Sequence, residues 1–160
     1  MATQLLIVEG DLLQQPVDAI VNAWNRNMIP WWLLLPKGVS GAIKRSAGPA
    51  PFRELARAGW LPVGGAVLTS AGRLPFRGII HVAGLNLLWV ASERAVKLCV
   101  RSALAVATER RFRSVAFPLI GTGTGGLSAD RVERIMAEEV ESTAFAGEVR
   151  LVRYRPMPTE

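Results

Sequence analysis

Stretches of alternating or continuous apolar residues, each of strand length and rich in Val and Ile, recur six times along the chain. They run Leu5–Glu9, Val17–Ala23, Ala66–Ser70, Ile79–Ala83, Ser114–Ile120 and Val149–Tyr154. Gly, Pro or Asp bounds each of them, which predicts six β-strands. Between them the apolar spacing becomes helical over Val39–Ala47, Phe52–Ala58, Ser92–Arg111 and Ala129–Ala144. Ser92 followed by Glu93 opens the long helix, and the cluster Arg110, Arg111 and Arg113 closes it, so each sign suits the helix dipole. Alternation of strands and helices predicts an α/β sandwich, with helices on both faces of a largely parallel sheet and the apolar run Val115–Ile120 at its centre.

Length and composition narrow the class. With 160 residues, 50% hydrophobic and 20% charged, the chain is expected to form one domain over residues 1–160 rather than a disordered or collagen-like chain. A formal charge of +6 favours anionic partners, but the basic residues look too evenly spread to name one. Cys99 is the only cysteine and His81 the only histidine, so neither an internal disulfide nor a zinc cluster of the usual ligand type is expected. A reducing, cytoplasmic setting fits this usage. The longest apolar run, Ile29 to Pro36, is far shorter than the roughly 20 residues that span a bilayer, and no leader-like segment opens the chain. A soluble monomer with no metal and no membrane partner is the expectation.

In open α/β sheets ligands bind beyond the carboxyl ends of strands, so the loops that follow strands carry the candidate chemistry. After the first strand, Asp11 in Gly10-Asp11-Leu12 can accept a hydrogen bond from an exocyclic amine, or cap a turn. As the second strand ends, Asn22, Asn25 and Asn27 crowd into six residues, suited to ribose hydroxyls, to a polarised water or simply to a turn. Pro36-Lys37-Gly38-Val39-Ser40-Gly41 approaches a helix start, where free backbone N–H groups and the positive dipole end face an anion. Gly121-Thr122-Gly123-Thr124-Gly125-Gly126 follows the most strand-like segment, and its glycines let N–H groups converge on a phosphate. Two such loops at strand ends suggest a diphosphate held from both sides.

The last loop also fits G-x-G-x-x-G, with Glu141 at a tolerable distance for a ribose contact. A nicotinamide-dependent oxidoreductase would place that fingerprint in an early βαβ unit, whereas here one strand follows it. No Lys-Ser/Thr completes a phosphate-binding loop of the Walker type, and no Gly-x-Ser-x-Gly elbow is present. His81 and Cys99 sit among apolar neighbours and read as core residues. Trp24, Trp31 and Trp32 form either a lid over a ligand or ordinary packing. Arg150, Arg153 and Arg155 could meet nucleic acid or form one solvated face.

Taken in order, these loops resemble a macro domain, the fold that binds ADP-ribose. The matching segments are Gly10-Asp11-Leu12, Val17 to Asn25, Gly38-Val39-Ser40-Gly41-Ala42-Ile43, Ile79 to Gly84, and Ala116 to Gly123, which together span nearly the whole chain. The resemblance implies a three-layer α/β/α sandwich on a mixed, mostly parallel six-stranded sheet. It implies that Asp11 holds the adenine amine with the Leu12 N–H assisting, and that Asn22 and Asn25 belong to the ribose side, Asn25 facing the distal ribose. Gly38, Val39, Ser40 and Gly41 would line one side of the diphosphate, and Gly121, Thr122, Gly123, Thr124, Gly125 and Gly126 the other. Tyr154 would stack on adenine. ADP-ribose would be the ligand and product, with no cofactor, and ADP-ribosylated protein or nucleic acid the partner.

Departures from the family pattern bear on catalysis. In MacroD-like hydrolases the helix-start motif carries an acid where this chain has Ser40, and an aromatic stands where this chain has Gly125. A second branch uses a lysine near this helix start, and Lys44 falls at matching spacing, but the accompanying acid aligns with Gly125. The chain thus resembles a divergent bacterial-type ADP-ribosylhydrolase subgroup, with Asn25, Ser40 and Lys44 as the catalytic candidates. Release of ADP-ribose from Glu or Asp esters is the expected activity. A non-catalytic reader of ADP-ribose is the alternative.

Overall fold

The structure, a computed structural model, describes residues 2–24, 32, 38–84, 91–122 and 126–155. Strands β1 (Gln4–Gly10), β2 (Ala19–Trp24), β3 (Ala66–Thr69), β4 (Gly78–Ala83), β5 (Ser114–Pro118) and β6 (Glu148–Tyr154) form one sheet in the order β1-β6-β5-β2-β4-β3. Every neighbouring pair is parallel except β3 with β4. Among the described residues, four helices cross between strands: α1 (Gly38–Ala47), α2 (Ala50–Arg57), α3 (Glu93–Glu109) and α4 (Ala129–Ser142). A 3-10 turn at Leu12–Gln14, which periodicity did not predict, follows β1.

Alternation along the central strands decides which helices lie on which face. Val21, Ile80, Val82, Val115 and Leu151 face α3 and α4, meeting Val96, Val100, Leu104, Met136 and Val140. Ile20, Ile79, Ala116 and Val152 face α1 and α2, meeting Ile43, Ala47, Phe52 and Leu55. The result is the three-layer sandwich with a mixed, mostly parallel sheet. No helix among the described residues is long and apolar enough to cross a membrane.

Local signals set the helix ends. Ser92 accepts a hydrogen bond from the Ala95 N–H and Ser128 one from the Arg131 N–H, each with an acid in the first turn behind it. At the other end of α3, the Phe112 N–H reaches back to the Ala107 carbonyl while Arg111 takes the left-handed conformation (φ 57°) that glycine usually fills. The predicted run Ser114–Ile120 is strand only to Pro118, because Pro118 offers no N–H to continue a ladder.

One polar chain crosses the α1–α2 face of the sheet. Asn22 and His81 are register partners, fully buried, with Asn22 Nδ2 3.1 Å from His81 Nδ1. His81 Nε2 lies 2.8 Å from Thr69 Oγ1, whose hydroxyl donates to the Ser70 carbonyl at 2.9 Å. That hydroxyl proton is committed, so Nε2–H donates to Thr69 and Nδ1 accepts from Asn22. Phe52 covers the imidazole edge-on at 5.7 Å between centroids, and Trp24 stacks beyond it at 5.2 Å. Trp24 is therefore core rather than lid.

Burial holds the His81 imidazole neutral, its pKa pushed down to about 3. In the unfolded chain the ring takes a proton near pH 6.5. The unfolded state thus binds the extra proton between those values, and stability falls as pH drops below about 6.5, by up to about 1.4 kcal/mol per pH unit from this group, levelling near pH 3. Urea unfolding between about pH 7 and pH 4 should show a shallower decline in His81→Gln than in the wild type. Equal slopes would contradict a neutral, buried His81.

Candidate functional site

Because five strands run parallel, their carboxyl ends share one edge of the sheet, and a cleft opens there beyond β1, β6 and β5. It has two adjoining parts. One, of about 330 Å³, is lined by Asp11, Leu12 and Leu13, by Gly38, Val39, Ala42 and Arg45 of α1, and by Pro118, Val152 and Tyr154. The other, about 700 Å³ and more open, shares Val39, Pro118, Val152 and Tyr154, and extends past Thr122 to Ala129 at the start of α4. The cleft therefore runs from the turn after β1, under the first turn of α1, to the loop after β5.

Each wall has a local cause. Gly10 ends β1 with φ 149°, and Asp11 then caps the 3-10 turn, its Oδ1 accepting from the Leu13 N–H at 2.9 Å. Capping and ligand contact are thus compatible: Oδ2 makes no hydrogen bond among the described residues and remains an acceptor at the cleft wall. Tyr154 sits beside Gly10 in register at the end of β6 and is 68% exposed, so a ring face is open to stacking. Helix α1 begins at Gly38, with φ 55° and no acid in its first turn, so no side-chain charge there offsets the positive end of its dipole. On the facing wall, Gly121 has φ 85°, the Thr122 hydroxyl donates to the Leu119 carbonyl at 2.8 Å, and the Leu127 N–H closes the loop on the Gly121 carbonyl at 3.0 Å.

Six of the fourteen binding candidates come together here. Asp11, Leu12, Gly38, Val39, Thr122 and Tyr154 all line the cleft. Gly121 starts its facing loop, and Gly41 is buried in the first turn of α1. Gly126 is exposed at the far end of that loop. Asn25, Gly123, Thr124, Gly125 and Trp31 lie outside the described residues. Asn22 does not line the cleft: it is fully buried on β2, spends Nδ2 on His81, and leaves Oδ1 without a hydrogen-bond partner.

Ser40 and Lys44 stand one turn apart on α1, on a different face from Gly38, Ala42 and Arg45, and neither lines either part of the cleft. Lys44 Nζ lies over the Phe52 ring at 5.7 Å, and partial burial lowers its pKa from the usual lysine range. The Cys99 thiol, buried in α3, is pushed up to about 12 and is inert as a nucleophile. Glu141 occupies the last turn of α4, about 18 Å along the helix from Ala129, too far to serve a ribose held at the loop. Arg150, Arg153 and Arg155 are all engaged, with Glu148, with Glu133 and Asp130, and with Glu9.

Arg45 lines the cleft and was not among the sequence candidates. Its signal was helical spacing: Gly38, Ala42 and Arg45 fall at i, i+4 and i+7, one face of α1. Two carboxylates line the cleft among the described residues: Asp11, which caps a turn, and Glu9, which shares the more open part with Thr122 and pairs with Arg155. The site can thus bind a long anion with an aromatic end, and the carboxylate in its Thr122 part is held by a guanidinium.

Known proteins share this architecture. A family model described as Macro domain matches residues 21–136. A macro domain-containing protein of Streptomyces coelicolor is 41% identical over 162 residues, covering 95% of this chain and 92% of that one. An O-acetyl-ADP-ribose deacetylase of Klebsiella pneumoniae is 36% identical over 165 residues, covering 98% and 86%. A mutant of the Oceanobacillus iheyensis macrodomain solved with ADPR superposes with a TM-score of 0.77 at 30% identity, covering 91% of this chain and 82% of that one.

Two glycines of the loop separate packing from backbone freedom. A Cβ on Gly121 would lie 2.6 Å from Ala91 Cβ, whereas one on Gly126 meets nothing within 4 Å, though both have positive φ. Gly126→Ala should cost about 1 kcal/mol of stability, and Gly121→Ala about 1–3 kcal/mol more, measured by urea unfolding. Equal costs would mean that the loop does not seat against Ala91.

Proposed function

The chain belongs to the macro domain family, and from that premise we propose that it binds ADP-ribose in this cleft and hydrolyses a carboxylate ester on the distal ribose. The substrate we favour is ADP-ribose joined to a Glu or Asp side chain. The observation that carries the reading is the order of chemistry along the cleft: Asp11 and Tyr154 at one end, the start of α1 with no acid in its first turn in the middle, the Thr122 loop opposite. That order suits an adenine that donates a hydrogen bond and stacks, followed by a diphosphate held between two sets of backbone N–H groups.

The chemistry asked of the enzyme is small. One water is consumed: its oxygen bonds to the anomeric carbon of the distal ribose, the bond from that carbon to the ester oxygen breaks, the Glu or Asp side chain leaves as carboxylate, and one water proton passes to solvent. Carboxylate is a stable leaving group, so holding the ribose and the water in line supplies much of the rate without a dedicated side-chain base. Asn25 is the residue assigned to the distal ribose and its water. The ester specificity named for the Klebsiella pneumoniae relative supports an ester as the bond cut. Lys44, turned toward Phe52, is assigned no catalytic part.

A second reading, a reader that binds without cleaving, is favoured by one observation. Ser40 stands where the MacroD-like hydrolases carry an acid, and the described carboxylate in the Thr122 part of the cleft, Glu9, is paired with Arg155.

The test joins binding and turnover. Asp11→Asn keeps an oxygen to cap Leu13 but turns an amide N–H toward the adenine amine, and should weaken ADP-ribose binding in calorimetry by about 1–3 kcal/mol. Release of ADP-ribose from a glutamate-modified protein should be lost in Asn25→Ala and retained in Lys44→Ala. Tight binding with no release from the wild type would leave the reader. Unchanged affinity in Asp11→Asn would remove the cleft assignment itself.

A further inference from the structure

The charge that composition leaves evenly spread is segregated by layer. Between Asp18 and Glu93 the only carboxylate in the chain is Glu54. Helices α1 and α2 and the turns beside them carry Lys44, Arg45, Arg53, Arg57, Arg73 and Arg77. Counted in the same way, with the turn that closes α3, the opposite layer holds seven carboxylates against eight Lys and Arg, because Arg110, Arg111 and Arg113 follow α3 directly. The α1–α2 face therefore carries a net positive charge and the opposite layer is close to neutral.

Pairing sharpens the contrast. On the α3–α4 side and along β6, Arg101, Arg131, Arg150 and Arg153 each hold a carboxylate. On the α1–α2 side Arg77 reaches Asp18 at 3.8 Å and lies over the Phe112 ring at 5.0 Å. Glu54 is taken by the Ser70 N–H and hydroxyl. Arg45, Arg53, Arg57 and Arg73 are exposed and have no carboxylate within ion-pair distance among the described residues. Of the segments outside the described residues, 25–31, 33–37, 85–90 and 123–125 contain no Asp or Glu, and 156–160 contains Glu160 alone.

These guanidinium groups are placed together by the fold. Arg53 and Arg57 stand at i and i+4 on the exposed side of α2. Arg73 lies over Gly48 at the α1–α2 turn, its own N–H bonded to the Ala47 carbonyl at 3.0 Å. Arg45 carries the patch to the wall of the cleft. Trp60, three residues past Arg57, is 57% exposed.

We propose that the α1–α2 face is a docking surface for single-stranded nucleic acid, with Arg53, Arg57 and Arg73 meeting backbone phosphates and Trp60 stacking on a base. Guanidinium groups suit phosphate because their planar fork can donate two hydrogen bonds to it. An acidic peptide would use the same cations, but every unpaired nucleotide brings a base that can stack on an exposed indole, whereas a peptide brings a ring only where its sequence holds an aromatic residue. Since Arg45 belongs both to this face and to the cleft, a strand lying on α1–α2 ends beside the adenosine end of the site. The surface is independent of the reading of the cleft, because it needs no ADP-ribose to be occupied.

Fluorescence anisotropy with a labelled oligothymidylate of about twelve nucleotides tests the surface directly. The full chain should bind it with a salt dependence, and Arg53→Glu/Arg57→Glu should weaken binding at least about tenfold and reduce the slope of log K against log salt by about 1.4. Trp60→Ala should weaken binding about fivefold or more. Arg94→Glu/Arg134→Glu makes the same charge change on the opposite layer and should leave affinity within about twofold, while ADP-ribose affinity measured in parallel reports that each variant is folded. No binding by the wild type would overturn the proposal, and so would equal losses from the two double variants. Equal competition by polyglutamate would assign the surface to an acidic peptide instead.

Discussion

The parallel register of β1, β6, β5, β2 and β4 is the constraint from which the rest follows. Parallel neighbours cannot be joined by a hairpin, so the connections that build this part of the sheet must cross one of its faces, and only β3 to β4, an antiparallel pair, turns back directly. Consecutive crossovers therefore bring the turn at Asp11, the start of α1 and the loop after β5 to one edge, although they are far apart in the chain. Right alternation along β2 and β4 matters equally: a one-residue slip would move Asn22 and His81 from the α1–α2 face to the other layer and break the polar chain to Thr69.

That edge adds the positive potential of backbone N–H groups to the side-chain cations that line it, Arg45 and the carboxylate-paired Arg153 and Arg155. The start of α1 has no acid to offset it, whereas α3 and α4 each begin with a Ser cap and an acid in the first turn. The starts of α3 and α4 are thus offset by their own acids, and that of α1, at the cleft wall, is left to an external anion; α2 also starts without an acid but lines neither part of the cleft. Basic side chains are displaced to the outer face of α1 and α2, where they belong to a larger partner than the molecule in the cleft. A small ligand held by backbone dipoles and a macromolecular carrier held by guanidinium groups are then separate recognitions on adjoining surfaces.

Much of this was legible in the residues. Periodicity located all six strands and four helices, because the central strands are continuous Val and Ile runs and the helices carry clear starts such as Ser92 and Ser128. The glycine loops were legible too, since Gly38 and Gly121 take backbone conformations that other residues resist. Side-chain destinations were harder to read. Asn22 and Asn25 lie three residues apart, and only the register with His81 shows that Asn22 faces a histidine inside the core. Asp11 proved to be a cap and a cleft residue at once, roles that sequence sets against each other but two carboxylate oxygens reconcile. Lys44 sat at a suggestive spacing, yet helical geometry turns it toward Phe52. The layer-by-layer charge was present in the order of residues, but without the layers a run lacking carboxylates has no face to belong to.

The central claim is that one cleft, at the carboxyl ends of β1, β6 and β5, takes ADP-ribose. Titration of the isotopically labelled protein with ADP-ribose, followed by amide chemical shifts, tests it residue by residue. The account predicts that the largest shifts fall at Gly10 to Leu13, Gly38 to Ala42, Gly121 to Leu127 and Tyr154. Shifts gathered instead at the opposite edge, around Gln14 to Asp18 and Phe76, or confined to α2, would contradict it.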